Sequence, residues 1–430
     1  MSGESKPAAL TGEIVINLLN RSHLLEPGMV AGAIAEAVQP LGIRAVRIYL
    51  SDLQQRSLRL LPGSTGEGPE TLEIGSTVAG RAYRSIRIQH SEAPERLWIP
   101  LIDGTERLGV LELEVTDVTE PALDAYRAIA SMAGLMMVSK ASYSDTYAVT
   151  RRTQAMSLQA EVVWAFLPPR TFATDRVLIA ATLEPAYAVG GDAFDYSLLG
   201  DSMHVAIFDA TGHDLAAGLM ASVAMASSRS TRRSGGSLAD IATLADHAIA
   251  TEFGGYRFVT ALLCHLDVKT GLFTWIPCGH PPPLLIRRNR TIKELARPQR
   301  LPLGLSEVDR IHHGSERAQA AAGETSSGAG QADADRNRTP EHTVRLGAGD
   351  RILLYTDGIT EGRAADGAPF SVERLSDFVI RHSHDGTPAP EMIRRLHHAI
   401  SAHQRGTLID DATIVMLEWM PDRAQQRLTP

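Results

Sequence analysis

Apolar positions along the chain switch repeatedly between a period of about 3.6, as on one face of a helix, and a period of about 2, as on one face of a strand. Over residues 11–140 this predicts helices at Gly12–Asn20 and Val30–Val38 and strands at Ala45–Leu50 and Leu58–Leu61. A short helix at Thr77–Arg84 follows, then a hairpin of Leu97–Ile102 and Arg107–Val115 around Asp103-Gly104. Leu123, Tyr126, Ile129, Ala133 and Met137 recur at helical spacing behind Pro121, read as a first-turn proline. Leu158, Val162 and Phe166 repeat every four residues, so residues 141–170 read as a helical linker that Pro168 and Pro169 end.

The pattern changes over residues 171–420. Strands are predicted at Val177–Thr182, Phe194–Leu199 and Met203–Asp209, then helices at Leu215–Arg232 and Leu238–Phe253. Further strands follow at Thr260–Asp267, Leu272–Pro277, Pro283–Arg287 and Asp350–Thr356. Two helices, Val372–Arg381 and Glu391–His403, precede a last strand at Ala412–Trp419. Residues 306–342 break the rhythm: Ala318–Asn337 is rich in Ala, Gly, Ser, Asp and Gln without apolar periodicity, so the segment reads as a disordered surface insertion. Residues 1–10 and 421–430 read as a disordered start and a tail. The fold class is α+β, with a first domain at 11–140 and a second at 171–420.

Composition narrows the function. A chain of 430 residues favours two domains, and 44% hydrophobic with 21% charged residues is an ordinary globular balance. A net charge of −8 argues against nucleic acid as a partner. Cys264 and Cys278 both lie in apolar strand-like runs and read as buried thiols rather than a disulfide or zinc site. Met1–Leu10 lacks the apolar core of a signal peptide, and no apolar run is long enough to span a membrane, so the expected location is cytoplasmic.

Four aspartates carry the chemistry. Asp192 opens a strand after Val189-Gly190-Gly191, and Asp209 closes the next one. Asp357 follows the apolar run ending in Tyr355-Thr356, with Gly358 turning the chain away, and Asp410 precedes the last strand beside Asp411. Any one of them alone reads as a turn residue capping backbone amides. Gathered at strand ends, carboxylates repel and titrate abnormally. Hard divalent cations such as Mn²⁺ or Mg²⁺ take oxygen ligands and resolve that conflict, and two such ions can clamp a phosphoryl group.

The two halves resemble known families. Val46-Arg47-Ile48-Tyr49-Leu50-Ser51-Asp52, Thr77-Val78-Ala79-Gly80-Arg81-Ala82-Tyr83 and the run Trp98–Leu113 make the first domain similar to a GAF domain, a sensor module that often binds a small molecule. No residue names that ligand. The second half carries Val189-Gly190-Gly191-Asp192-Ala193-Phe194-Asp195, Asp209-Ala210-Thr211-Gly212-His213, Arg257-Phe258-Val259-Thr260-Ala261, Cys278-Gly279-His280-Pro281, Tyr355-Thr356-Asp357-Gly358 and Asp410-Asp411-Ala412-Thr413. In that order they resemble the SpoIIE-like branch of the metal-dependent (2C-class, PPM-type) protein phosphatases.

That resemblance implies an α-β-β-α sandwich and a phosphoserine/phosphothreonine phosphatase using two Mn²⁺ or Mg²⁺ ions. Asp209 would bridge both, with the Ala210 carbonyl facing one. Asp357 and Asp410 would complete one shell, Asp192 would serve the other, and Asp411 is the weaker of its pair. An activated water would attack phosphorus directly, without a covalent phosphoenzyme. The implied substrate is a phosphorylated protein of the anti-sigma-factor-antagonist kind, with the GAF-like domain gating activity through the linker; parallel packing of the linker would make a homodimer.

The family's Gly-His-Gly reads Gly212-His213-Asp214 here. Asp214 is expected to cap the helix from Leu215. His213 is a candidate general acid, with a structural role weighed above it, and His280 reads as a turn histidine. No arginine is assigned to the phosphate. The alternative function is a catalytically silent phosphoprotein-binding or small-molecule-sensing scaffold.

Overall fold

The structure, a computed structural model, describes residues 5–92, 95–254, 256–287, 291–306, 341–362, 368–404 and 410–421. Two compact units divide between Ala155 and Met156.

The first unit is an antiparallel sheet of β1 (Ala45–Ser51), β2 (Ser57–Leu60), β3 (Thr71–Glu73), β4 (Gln89–Glu92), β5 (Glu95–Asp103) and β6 (Glu106–Glu114), in the order β3-β2-β1-β6-β5-β4. Helices α1 (Ser5–Ser22), α2 (Val30–Val38) and α4 (Glu120–Ala141) share one apolar cluster with the sheet, built on Leu18, Ile34, Ile48, Leu111 and Ile129. Helix α3 (Val78–Ser85) joins a second cluster with Tyr49, Tyr83 and Trp98. Thr77 caps α3 by accepting from the Gly80 amide. Cross-strand neighbours Arg47 and Glu112 form a buried ion pair at 2.7 Å. Helix α1 starts at Ser5, so its first turn lies inside the stretch expected to be disordered. Pro121 sits one residue into α4, whose first residue is Glu120.

The expected linker is not one helix. A short α5 (Thr146–Arg151) belongs to the first unit, where the Arg151 guanidinium donates to the Ser51 carbonyl. Helix α6 (Leu158–Phe166) belongs to the second, where Trp164 Nε1 donates to the Ala186 carbonyl. The predicted stripe is the wrong face: Leu158 and Phe166 are exposed, whereas Ala160 and Val163 are buried. Small residues let α6 approach the next helix, which the four-residue spacing of large ones concealed.

The second unit stacks two sheets. One contains β9 (Asp192–Leu199), β10 (Ser202–Ala210), β11 (Val259–Asp267), β12 (Leu272–Cys278) and β15 (His342–Arg345), in the order β15-β12-β11-β10-β9. The other contains β7 (Thr171–Ala173), β8 (Val177–Glu184), β13 (Leu284–Arg287), β14 (Thr291–Glu294), β16 (Arg351–Tyr355) and β17 (Ala412–Trp419), in the order β14-β13-β16-β17-β8-β7. Helices α7 (Leu215–Arg233) and α8 (Leu238–Phe253) cover the first sheet; α10 (Val372–His384) and α11 (Ala389–His403) cover the second.

Strand alternation explains the layering. Along β8, Ile179, Ala181 and Leu183 enter the core between the sheets, while Leu178 and Ala180 face the outer helices. Along β17, Val415 and Leu417 point inward and Ile414 and Met416 outward. Both faces are buried, so these strands read as unbroken apolar runs. The short edge strands β3, β4, β7, β14 and β15 carry too few residues to show a period, and the pattern missed them. Of the expected insertion, residues 307–340 lie outside the described residues, as does the tail from residue 422, but the insertion's end is not disordered: His342 opens β15 and pairs with Trp275 on β12. Among the described residues no helix is long and apolar enough to cross a membrane.

Candidate metal centre and its neighbourhood

Antiparallel pairing places Asp192 directly opposite Asp209, the last pair at the open end of the hairpin of β9 and β10. Like charges in such a cross-strand position destabilise a sheet. Asp192 is 1% exposed, and its carboxyl is held well above the usual range by burial, then by Asp209 and Asp411. Asp209 is pushed up to about 8, first by burial and then by Asp357, Asp410 and Asp411. These aspartates, from four separate segments, therefore share one edge of the sandwich.

The second sheet delivers the others. β16 and β17 run antiparallel, with Tyr355 opposite Ile414, so Thr356-Asp357 and Asp410-Asp411 emerge side by side. Asp357 opens a short helix, α9 (Asp357–Glu361), rather than a simple turn. Gly358 is required by close approach: a Cβ there would collide with the Asp411 carbonyl oxygen. Gly358→Ala should therefore cost about 3 kcal/mol or more, since backbone on backbone cannot yield without moving both acidic segments. Urea melts of the metal-free protein check this; a loss below about 1 kcal/mol would show that the approach is soft.

Asp411 serves the backbone. Its Oδ2 accepts from the amides of Gly190 at 2.7 Å, Gly191 at 2.6 Å and Asp192 at 3.2 Å. Burial still raises it, against the lowering effect of those three donors. It thus fixes the loop that carries Asp192. The two glycines serve that loop by letting chains approach, not by adopting a left-handed turn. A Cβ on Gly191 would strike the Ala210 carbonyl oxygen, and one on Gly190 would lie 2.5 Å from the His213 Cα. Asp410 is exposed, and its Oδ1 accepts from the Asp411 amide at 2.9 Å.

Three polar residues that sequence reasoning did not assign to the site complete its support. Thr356 Oγ1 donates to Asp192 Oδ2 at 2.8 Å and accepts from the Thr413 amide at 2.9 Å. His280, fully buried, stands between Thr260 Oγ1 at 2.8 Å and the Tyr355 carbonyl at 3.1 Å. Burial pushes its pKa down to about 3, so it is neutral. A carbonyl only accepts, so Nε2 carries the proton and Nδ1 accepts from Thr260. Thr260 lies opposite Asp209 on β11. His280 is thus a brace between the two sheets rather than a turn histidine.

Asp214 caps α7, accepting from the Ala217 amide at 3.0 Å, and also pairs with Arg257. His213 is exposed in the preceding turn. Cys264 and Cys278 are buried free thiols.

The donor chemistry suits a hard divalent cation. The carboxylates at this edge offer oxygen ligands only, and the carboxyl at its centre is raised by burial and then by its acidic neighbours, a charge imbalance that a cation relieves. Among the described residues no three His, Cys, Asp or Glu side chains are grouped closely enough to enclose an ion. Part of the reason is visible: Asp192, Asp410 and Asp411 each have an oxygen engaged by a protein donor.

A two-sheet sandwich flanked by helix pairs, with an acidic edge, defines the class. Residues 200–420, just over half of the chain, match the family described as Stage II sporulation protein E (SpoIIE). The chain belongs to that family. It is also 23% identical over 240 residues to the phosphoserine phosphatase RsbU of Bacillus subtilis (strain 168), covering 56% of this chain and 62% of that protein. It thus spans less than two thirds of that relative's length. Among solved structures, it is similar to the RsbU and RsbW domains of Rv1364c from Mycobacterium tuberculosis (22% identity, TM-score 0.45, 57% of this chain and 62% of that one). The SiaA-PP2C domain of Pseudomonas aeruginosa is another (20% identity, TM-score 0.44, 56% and 85%).

Proposed function

We propose that this chain is a Mn²⁺- or Mg²⁺-dependent phosphoserine/phosphothreonine protein phosphatase of bacterial signalling. The observation that carries the reading is the opposition of Asp209 and Asp192, with Asp357, Asp410 and Asp411 raising the same carboxyl. Membership of the SpoIIE family and the similarity to a phosphoserine phosphatase support it. Asp209, Asp192, Asp357, Asp410 and the Ala210 carbonyl would hold two ions. When bound, the ions neutralise charge on the phosphoryl oxygens and lower the pKa of water. Asp411 and Thr356 hold Asp192 in place, and the buried His280 brace keeps the edges of the two sheets together. His213 is exposed beside the site and is a candidate proton donor to the leaving group.

The substrate we assign is a phosphorylated anti-sigma-factor antagonist. The first unit is a GAF-like sensor of an unidentified ligand that gates the second, in the cytoplasm and as a homodimer. The full chain should hydrolyse p-nitrophenyl phosphate only with Mn²⁺ or Mg²⁺ present. It should also release phosphate from a phosphoserine-bearing antagonist protein. A chain starting at Met156 keeps the second unit's own core and lacks the gating unit, so it should fold and differ in rate. Ion binding without turnover on either substrate would replace this reading with the silent binding module.

A further inference from the structure

Beside the acidic edge, the guanidinium of Arg257 is held in a fork by the Asp214 carboxylate. The Thr211 amide donates to the Phe258 carbonyl at 3.0 Å, and Asp209 and Ala210 pair with Thr260 and Val259. Arg257 therefore lies across from Gly212, at the same end of the sheet as Asp209. A Cβ on Gly212 would lie 3.9 Å from Arg257 Nη1 and 3.8 Å from Asp214 Oδ1. Arg257 Nη1 and Nη2 donate to Asp214 Oδ1 and Oδ2, each at 2.7 Å. The two side chains are 38% and 51% exposed.

Capping alone does not require this carboxylate, since serine or asparagine caps a helix as well. The second function, a two-pronged grip on a guanidinium, needs two oxygens. An exposed pair of this kind contributes little to stability, because water and salt compete with it. A phosphomonoester presents the same pair of acceptor oxygens with a charge near −2, and guanidinium binds both groups bidentately.

We propose that Arg257 is a phosphate-binding residue for the substrate, and that Asp214 occupies its fork until a phosphoryl group displaces it. This rests on the phosphatase reading and deepens it: Arg257 supplies the phosphate contact that no residue filled in the sequence, and Asp214 tunes its strength by competition.

Isothermal titration of inorganic phosphate, a probe that is not turned over, into the Mn²⁺-loaded full chain tests this directly. Arg257→Ala should weaken phosphate binding about 10-fold or more, the usual loss for a charge-assisted contact. Asp214→Ser keeps the cap and removes the competitor, so it should tighten binding by about 3- to 10-fold. The double variant should behave like Arg257→Ala. With p-nitrophenyl phosphate the same shifts should appear in KM, with kcat changed less. An unchanged or weakened affinity in Asp214→Ser at an unchanged melting temperature, or an unchanged affinity in Arg257→Ala, overturns the proposal. Opposite shifts in affinity in the two variants, together with no hydrolysis by the wild-type chain, would uphold the anion contact and overturn the phosphatase reading.

Discussion

Asp209→Asn should abolish Mn²⁺-dependent hydrolysis, by about 10³-fold or more, while making the metal-free protein more stable at alkaline pH. The two effects have one cause. Asp209 faces Asp192 across the hairpin and is raised to about 8 by burial and by Asp357, Asp410 and Asp411. Its ordinary value is near 4. Between about 4 and about 8 the folded chain retains a proton that the unfolded chain has released. Metal-free stability therefore falls as pH rises through that window, and the cost is complete above it. Asparagine has nearly the same shape and no charge, so it removes this part of the slope. At pH 8 and above the variant should melt about 3–8 °C higher in EDTA than the wild type. With Mn²⁺ the order should reverse, because the wild type gains binding energy that the variant cannot. A variant that melts lower than the wild type in EDTA at pH 9 would show that Asp209 is not under repulsion. Retained hydrolysis would remove it from the centre.

Much of this edge was legible because it is local. A glycine-rich entry, one hairpin and strict alternation are enough to put Asp192 and Asp209 in register. Helix α8 was equally readable, its bounds matching the predicted Leu238–Phe253; in the structure Ser237 and the third-position Asp240 form a capping box, and Gly254 closes the helix in the left-handed region. The last strand was readable because both of its faces are apolar. What pattern could not supply are contacts between segments remote in sequence. Thr356 reaches Asp192 across 164 positions, and Asp411 reaches the glycine loop across about 220. No periodicity encodes such a meeting. His280 looked like a turn residue because its neighbours are glycine and proline, yet it is fully buried between two sheets. Arg257 opens one of the runs that carry the resemblance, but nothing in the sequence pairs it with Asp214. The departure from Gly-His-Gly was the clue, and its meaning needed the fold. The linker failed for another reason: spacing shows that a helix has an apolar stripe, not that the stripe is the buried one.

Asp411→Ala should unfold the site, whereas Asp411→Asn should largely spare it. The carboxylate is the shared acceptor for the amides of Gly190, Gly191 and Asp192, all in a buried loop. Alanine leaves these donors without an acceptor, and each buried unsatisfied donor costs about 1–3 kcal/mol. The three share one oxygen, so the losses are not additive, and a total of about 3–5 kcal/mol is expected. Because the loop ends in Asp192, Mn²⁺ affinity should fall with stability. Asparagine keeps one acceptor oxygen and removes a charge that raises both Asp192 and Asp209. A loss of about 1.5 kcal/mol or less is expected, because weaker neutral hydrogen bonds are offset by relieved repulsion. Urea unfolding of the metal-free variants and Mn²⁺ titration of the folded ones separate the two roles. Were Asp411 itself an ion ligand, asparagine would weaken Mn²⁺ binding as severely as Asp209→Asn while leaving the fold intact. The three-amide grip predicts the opposite order, with the damage in alanine, in stability first and in ion affinity through the displaced Asp192.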